Sequence, residues 1–194
     1  MAERKKLCYG MVGGGLGAFI GAVHRKAIAL EETADLVAGY FSSKDGKNQE
    51  TGSFHGIEED RLYKDYREMA QKEAKREDGI DFVSIVTPNA TQYQVAKAFL
   101  EAGIHVACEK PLCFTVEQAE ELQALAAEKN LFFAVTYTYT GYAMVKLARE
   151  LVEKGEIGEI VNVNAEYLQD WLIDEIGGGS QTTTKLSVWR TDPE

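Results

Sequence analysis

The chain reads as an α/β protein built on a doubly wound parallel sheet, and three features predict this. Five short apolar runs alternate with helical patterns over the first 136 residues. Most of each run is apolar on both sides, as in strands covered by helices on both faces. The connections are short, so a β-α-β-α order with right-handed crossovers follows.

The five runs cover residues 7–12, 36–41, 80–86, 104–108 and 131–135. Between them, Thr91 and Gln94 read as a capping box for a helix that carries Val95, Phe99 and Ala102 on one face and stops at Gly103. Thr115 and Gln118 repeat the device ahead of Ala119, Leu122 and Ala126. Tyr66, Met69, Ala70 and Ala74 make a third stripe, with Glu68 and Lys72 as an i,i+4 pair.

After about residue 136 the pattern changes. A helix over 142–154 is expected to end at Gly155. Val161, Val163, Ala165 and Tyr167 then alternate with Asn162, Asn164 and Glu166, which predicts a strand with one wet face. The expected organisation is a first domain over 1–136 and the beginning of a second α/β domain over 137–194, in which 176–185 is a Gly- and Thr-rich loop. No further strands complete the second sheet, so the chain reads as truncated, and the cut sheet predicts self-association through 161–167.

Apolar residues make up 45% and charged residues 27% of the 194, the balance of a soluble globular protein. A net charge of −10 argues against nucleic acid as a partner. No apolar run approaches the roughly 20 residues of a membrane helix, and the polar start shows no signal-peptide pattern. Cys8, Cys108 and Cys113 lack zinc-type spacing; Cys8 and Cys108 read as core thiols, which suits a reducing cytoplasm. His24, His55 and His105 have no metal-ligand spacing and read as structural, so no metal site is expected.

The chemistry is concentrated in two turns. Gly13-Gly14-Gly15-Leu16-Gly17-Ala18, followed by Phe19, comes directly after the first strand and matches G-x-G-x-x-A. Gly13 would permit the tight turn, Gly15 the approach of a pyrophosphate, and Ala18 close packing of the helix on the strand. Gly13, Gly15, Leu16, Gly17, Ala18 and Phe19 are therefore candidate cofactor-binding residues, with the phosphates on unpaired N–H groups at a helix N-terminus. A plain tight turn, or the Gly-rich turn of a methyltransferase, is the competing reading. At the end of strand two an acidic residue would bond the ribose of NAD. Here Ser42, Ser43 and Lys44 suit the 2′-phosphate of NADP, which is favoured, while Asp45 keeps NAD open.

The second turn is Cys108-Glu109-Lys110-Pro111-Leu112, at the carboxyl end of strand four, where open α/β sheets bind ligands. Pro111 disfavours a helical Lys110 and holds it extended. An ammonium fixed beside a nicotinamide can hydrogen-bond a substrate hydroxyl and stabilise charge on its oxygen. On spacing alone, an ordinary solvated turn is the alternative.

Together, Gly13-x-Gly15-x-x-Ala18, Thr87-Pro88-Asn89, Ala102-Gly103-Ile104-His105-Val106 and Glu109-Lys110-Pro111-Leu112 resemble the glucose–fructose oxidoreductase / inositol dehydrogenase (Gfo/Idh/MocA) family, across nearly the whole chain. The resemblance implies a Rossmann domain and a C-terminal α/β domain whose largely antiparallel sheet mediates dimers or tetramers. It implies hydride transfer between NAD(P) and a carbon of a sugar, inositol or related polyol. Lys110 becomes the catalytic lysine near the reacting carbon, and Thr87, Pro88 and Asn89 line the cofactor with Glu109 and Lys110. Tyr137, Tyr139, Trp171, Trp189 and Arg190 fall where substrate-pocket residues lie, with packing an equal reading for the aromatics. There are two departures. Gln92 stands where the family often has His, and the family's catalytic Asp and His belong to a second-domain motif beyond Glu194. A non-catalytic dinucleotide-binding module is therefore the alternative to a dehydrogenase.

Overall fold

The computed structural model describes residues 6–168, and the chain divides into two units, Met1–Tyr142 and Ala143–Glu194. In the first unit, β1 (Leu7–Gly13), β2 (Ala34–Tyr40), β3 (Phe82–Val86), β4 (His105–Cys108) and β5 (Phe133–Val135) form one sheet. They are joined by α1 (Phe19–Leu30), α2 (Asp45–Phe54), α3 (Tyr66–Glu73), α4 (Asn89–Glu101) and α5 (Val116–Glu128). The spatial order is β2-β1-β3-β4-β5 and every pair is parallel. This is the doubly wound sheet that the sequence predicts. Beyond β2, one parallel bridge joins Gly39 to Leu62. Counting that bridge as a strand gives the 3-2-1-4-5-6 order of dinucleotide-binding sheets, with the third strand reduced to one residue.

Apolar clusters lie on both faces of the sheet. β1 gives Val12 to the larger one, beside Val83, Ile85, Phe99 and Leu122, and gives Tyr9 and Met11 to the other, beside Phe41 and Val86. Alternate residues of one strand thus feed opposite cores, which explains why the runs are apolar on both sides. Cys108 is fully buried, as expected, and burial pushes its thiol up to about 12. Cys8 is only half-buried.

The helix ends follow local chemistry. Thr115 accepts the Gln118 N–H at 3.3 Å, and Gln118 Oε1 accepts the Phe114 N–H at 3.1 Å, close to the expected box. The box expected at Thr91 does not form. Pro88, at φ −57° and ψ 151°, is the N-cap and starts α4 earlier, so Thr91 donates its hydroxyl back to the Pro88 carbonyl. Gln94 then faces Arg67, whose Nη2 donates to it at 3.3 Å. Asp65, which the sequence reading passes over, caps α3 by accepting from Arg67 and Glu68 N–H at 2.8 and 3.2 Å.

Where the third strand is missing, an ion pair is buried instead. Arg61 lies in a 3₁₀ turn (Glu59–Arg61) and reaches Glu73 of α3 through Nε at 3.2 Å and Nη2 at 2.5 Å, and Tyr63 donates to the same carboxylate at 2.7 Å. Glu73 is 1% exposed.

In the second unit, α6 (Ala143–Glu153) and the positive φ of Gly155 match the expected helix and its stop. The strand expected over 161–167 is not formed. Alternation produces a strand only when a neighbour supplies ladder hydrogen bonds, and no neighbour does so among the described residues. Trp171, Trp189, Arg190 and the loop at 176–185 lie outside the described residues. Among those described, no helix is long and apolar enough to cross a membrane.

Replacing Glu73 by Ala leaves the buried Arg61 with only the long 3.5 Å contact to the exposed Asp78. The expected cost is about 3–5 kcal/mol, read as a lower urea midpoint at unchanged slope.

Candidate cofactor and active site

The Gly-rich turn sits at the end of β1, where the chain crosses first to β2 and then to β3 on the other side. That reversal opens the crevice in which such sheets bind ligands. Gly13 has φ +86°, and a Cβ there would stand 2.9 Å from the Val86 carbonyl oxygen and 3.0 Å from Thr87 Cγ2. Only glycine fits. The close packing expected of Ala18 belongs instead to Gly21, whose Cβ would meet Gly14 Cα at 2.4 Å. Here α1 lies backbone to backbone on the turn. Ala18 is the N-cap and brings no side-chain acceptor, so the first N–H groups of α1 stay open.

Gly15 and Leu16 are held from the β2 side. The Gly15 N–H bonds to the Phe41 carbonyl at 3.2 Å and the Leu16 N–H to Thr51 Oγ1 at 3.0 Å. Those two donors are committed within the protein, and the open N–H groups lie at the start of α1. Gly17 and Phe19 are exposed there. A Cβ on Gly15 would lie 3.0 Å from Lys47 Cε, so the Lys47 side chain crosses the turn. The sequence does not point to Lys47 and Thr51, because an exposed lysine and a threonine on α2 carry no local signal.

At the end of β2, Asn48 shapes the loop. Its Oδ1 accepts from Phe41 and Ser42 N–H at 2.8 and 3.4 Å, and its Nδ2 donates to the Tyr63 carbonyl at 2.8 Å. Ser42 Oγ accepts the Lys44 N–H at 3.2 Å, while Ser43 and Lys44 are exposed. On the β3 side, Thr87 leaves a buried hydroxyl without a partner, and Gln92 donates Nε2 to the Thr87 carbonyl at 3.0 Å while its own Oε1 is also buried and unpartnered. Pro88 is exposed and Asn89 half-buried at the start of α4. Open helix donors, a turn bare of Cβ atoms and an orphaned hydroxyl beside Gly13 all fit a dinucleotide.

The second turn is tied to the first. Glu109, 7% exposed, extends from β4 and donates its N–H to the Ile85 carbonyl at 2.9 Å. Its Oε1 lies 3.0 Å from His24 Nε2 of α1 and accepts from Thr136 Oγ1 at 2.8 Å, while Oε2 accepts the Lys110 N–H at 3.1 Å. His24 Nδ1 lies 2.9 Å from Ser84 Oγ of β3. Burial pushes the Glu109 carboxyl up, but the bonds from His24, Thr136 and the Lys110 amide outweigh it and hold it below the usual glutamate range. Lys110 itself is exposed. Tyr137, next to Thr136, precedes a 3₁₀ turn (Thr138–Gly141) that holds Tyr139; both are exposed, and Tyr139 is edge-on to Tyr142 at 5.5 Å. The other histidines pack locally: His55 against Phe54, and His105 accepting the Phe132 N–H at 3.1 Å. Among the described residues no group of metal-ligating side chains forms.

Residues 7–137 match the sequence profile described as oxidoreductase family, NAD-binding Rossmann fold, of the Gfo/Idh/MocA proteins. The chain belongs to the Gfo/Idh/MocA oxidoreductase family. It is 40% identical over 190 residues to the uncharacterized oxidoreductase YfiI of Bacillus subtilis (strain 168), covering 97% of this chain and 48% of that protein. It is 39% identical over 95 residues to levoglucosan dehydrogenase of Pseudarthrobacter phenanthrenivorans, covering 49% of this chain and 24% of that enzyme. The crystal structure of an inositol dehydrogenase homologue complexed with NAD+ from Azotobacter vinelandii is similar at TM-score 0.77 and 44% identity, covering 80% of this chain and 40% of that one. The same homologue is known with NADH and myo-inositol. The chain thus spans about half the length of its Bacillus relative.

Two outcomes test this Gfo/Idh/MocA site. Gly21→Ala forces α1 off the turn and is expected to cost about 1–3 kcal/mol in denaturant unfolding. Because the folded Glu109 carboxyl lies below its unfolded range, its stabilisation is present above that range and lost as pH falls through the depressed value. Glu109→Gln should therefore flatten the acid limb of thermal stability measured between about pH 3 and 7.

Proposed function

We propose that this chain is the cofactor-holding part of an NAD(P)-dependent dehydrogenase acting on a CH–OH carbon of a sugar, inositol or related polyol. The observation that carries the reading is the junction of the Gly-rich turn with the Glu109-Lys110-Pro111 turn through the 3.0 Å contact of His24 with Glu109. When bound, the nicotinamide takes or gives the hydride. The open N–H groups of α1 would hold the pyrophosphate, and Thr87, Pro88 and Asn89 would line the nicotinamide half. The exposed Lys110 ammonium would hydrogen-bond the substrate oxygen and stabilise charge developing on it. Levoglucosan and inositol, in the names of the relatives, support the substrate class.

We favour NADP over NAD. Supporting this, Lys44 and Lys47 carry exposed cations that pair with no carboxylate among the described residues, beside Ser42 and Ser43. NAD is the second reading, favoured by Asp45 in the first turn of α2 and by the NAD+ of the Azotobacter homologue. Fluorescence titration with both reduced cofactors decides: NADPH should bind about tenfold tighter than NADH, with a gap that narrows as salt rises. The reverse order establishes NAD, and binding of neither overturns the reading. Turnover of inositol or a sugar by the chain would exclude a module that only binds.

Self-association belongs to the same proposal. Met144, Val145, Leu147 and Leu151 of α6 are all exposed, an apolar face suited to a second copy. Light scattering should give a mass above the 21.5 kDa monomer. A reducing cytoplasm suits the three free cysteines.

A further inference from the structure

We infer that His24 is a positioning residue for Lys110, acting through Glu109. The inference rests on the reading of Lys110 as the substrate-facing lysine, and deepens it.

The four side chains come from four places in the first unit: His24 from α1, Ser84 from β3, Glu109 from the end of β4 and Thr136 just after β5. They close into one hydrogen-bonded chain. Nδ1 lies 2.9 Å from Ser84 Oγ, and Nε2–H donates to the ionised Glu109 Oε1 at 3.0 Å. Thr136 fills the remaining capacity of Oε1, so the carboxylate has little freedom to rotate, and its Oε2 is left facing the Lys110 N–H at 3.1 Å. That bond fixes the backbone from which the Lys110 side chain departs. His24 also lies one helical turn beyond Gly21, where α1 touches the Gly-rich turn. The same helix that offers its N-terminus to the pyrophosphate therefore sets the direction of the lysine. The two halves of the site move together.

Two amides separate this role from plain packing. In His24→Gln the side-chain nitrogen stands where Nε2 was and keeps the Glu109 contact, whereas in His24→Asn it stands where Nδ1 was and keeps only Ser84. The backbone ¹H–¹⁵N resonance of Lys110 in the 194-residue chain reports its bond to Glu109, and titration with NADH and NADPH reports the cofactor site. His24→Asn should shift the Lys110 amide upfield and weaken cofactor binding about tenfold, and His24→Gln should restore both. Glu109→Gln, which keeps the shape and removes the charge, should move the Lys110 amide as His24→Asn does. An unmoved Lys110 amide in His24→Asn overturns the inference. So does equal loss in Asn and Gln variants with equally lowered melting temperatures, which would assign His24 to packing alone. If the wild-type chain binds neither cofactor, the proposed function fails while the Lys110 resonance still decides the positioning role.

Discussion

Much of this structure depends on where one carboxylate is put. Glu109 is almost fully buried at the end of a central strand, where an unpaired charge costs several kcal/mol. It is met by donors from three elements: His24 on α1, Thr136 beyond β5, and the amide of Lys110. Satisfying that charge therefore fixes α1 against β4, and β4 against the segment that leaves β5. The carboxylate that could most easily have destabilised the sheet edge is the group that organises it.

The reach of His24 to Glu109 has its own precondition, which is glycine. The Gly14–Gly21 contact leaves no room for a side chain between the turn and the helix. Were α1 carried outward by even one methyl group, its first N–H groups would leave the crevice and His24 would leave Glu109. Arg25 reinforces the seating by donating Nη1 to the Gly14 carbonyl at 2.9 Å. The open start of α1 and the contact of His24 with Glu109 thus both depend on one packing distance.

These two layers differ in how visible they are in the sequence. The strands are legible because a strand between two helical layers must be apolar on both sides, as Tyr9, Met11 and Val12 are. Both turns are legible because Gly13 and Pro111 impose local backbone geometry. His24, Ser84 and Thr136 are not, because they meet Glu109 or each other across separations of 85, 60 and 27 residues, and nothing near any of them announces the others. Gly21 carries no local signal either, because its contact with Gly14 is set only by how α1 packs on the turn. The errors have the complementary cause. Alternation at 161–167 and the Thr91–Gln94 spacing are local patterns whose meaning depends on a neighbouring strand in one case and on Pro88 in the other.

Charge follows the same division between global and local. A net charge of −10 speaks against polyanionic partners in general, yet the proposed ligand is itself an anion. The two are compatible because the electrostatic reach in physiological salt is about 8 Å, so a ligand responds to what borders its crevice and not to the sum over the chain. At the carboxyl edge of the sheet that border is cationic: Lys44 and Lys47 beside the Gly-rich turn, Lys110 beyond β4, and the positive end of α1 between them. Glu109, drawn into that edge by the fold's own bonding, stays ionised, with its oxygens taken up by His24, Thr136 and the Lys110 amide. Lys44, Lys47 and Lys110 outnumber it and Asp45 along that border, so an acidic chain can carry an anion-binding crevice.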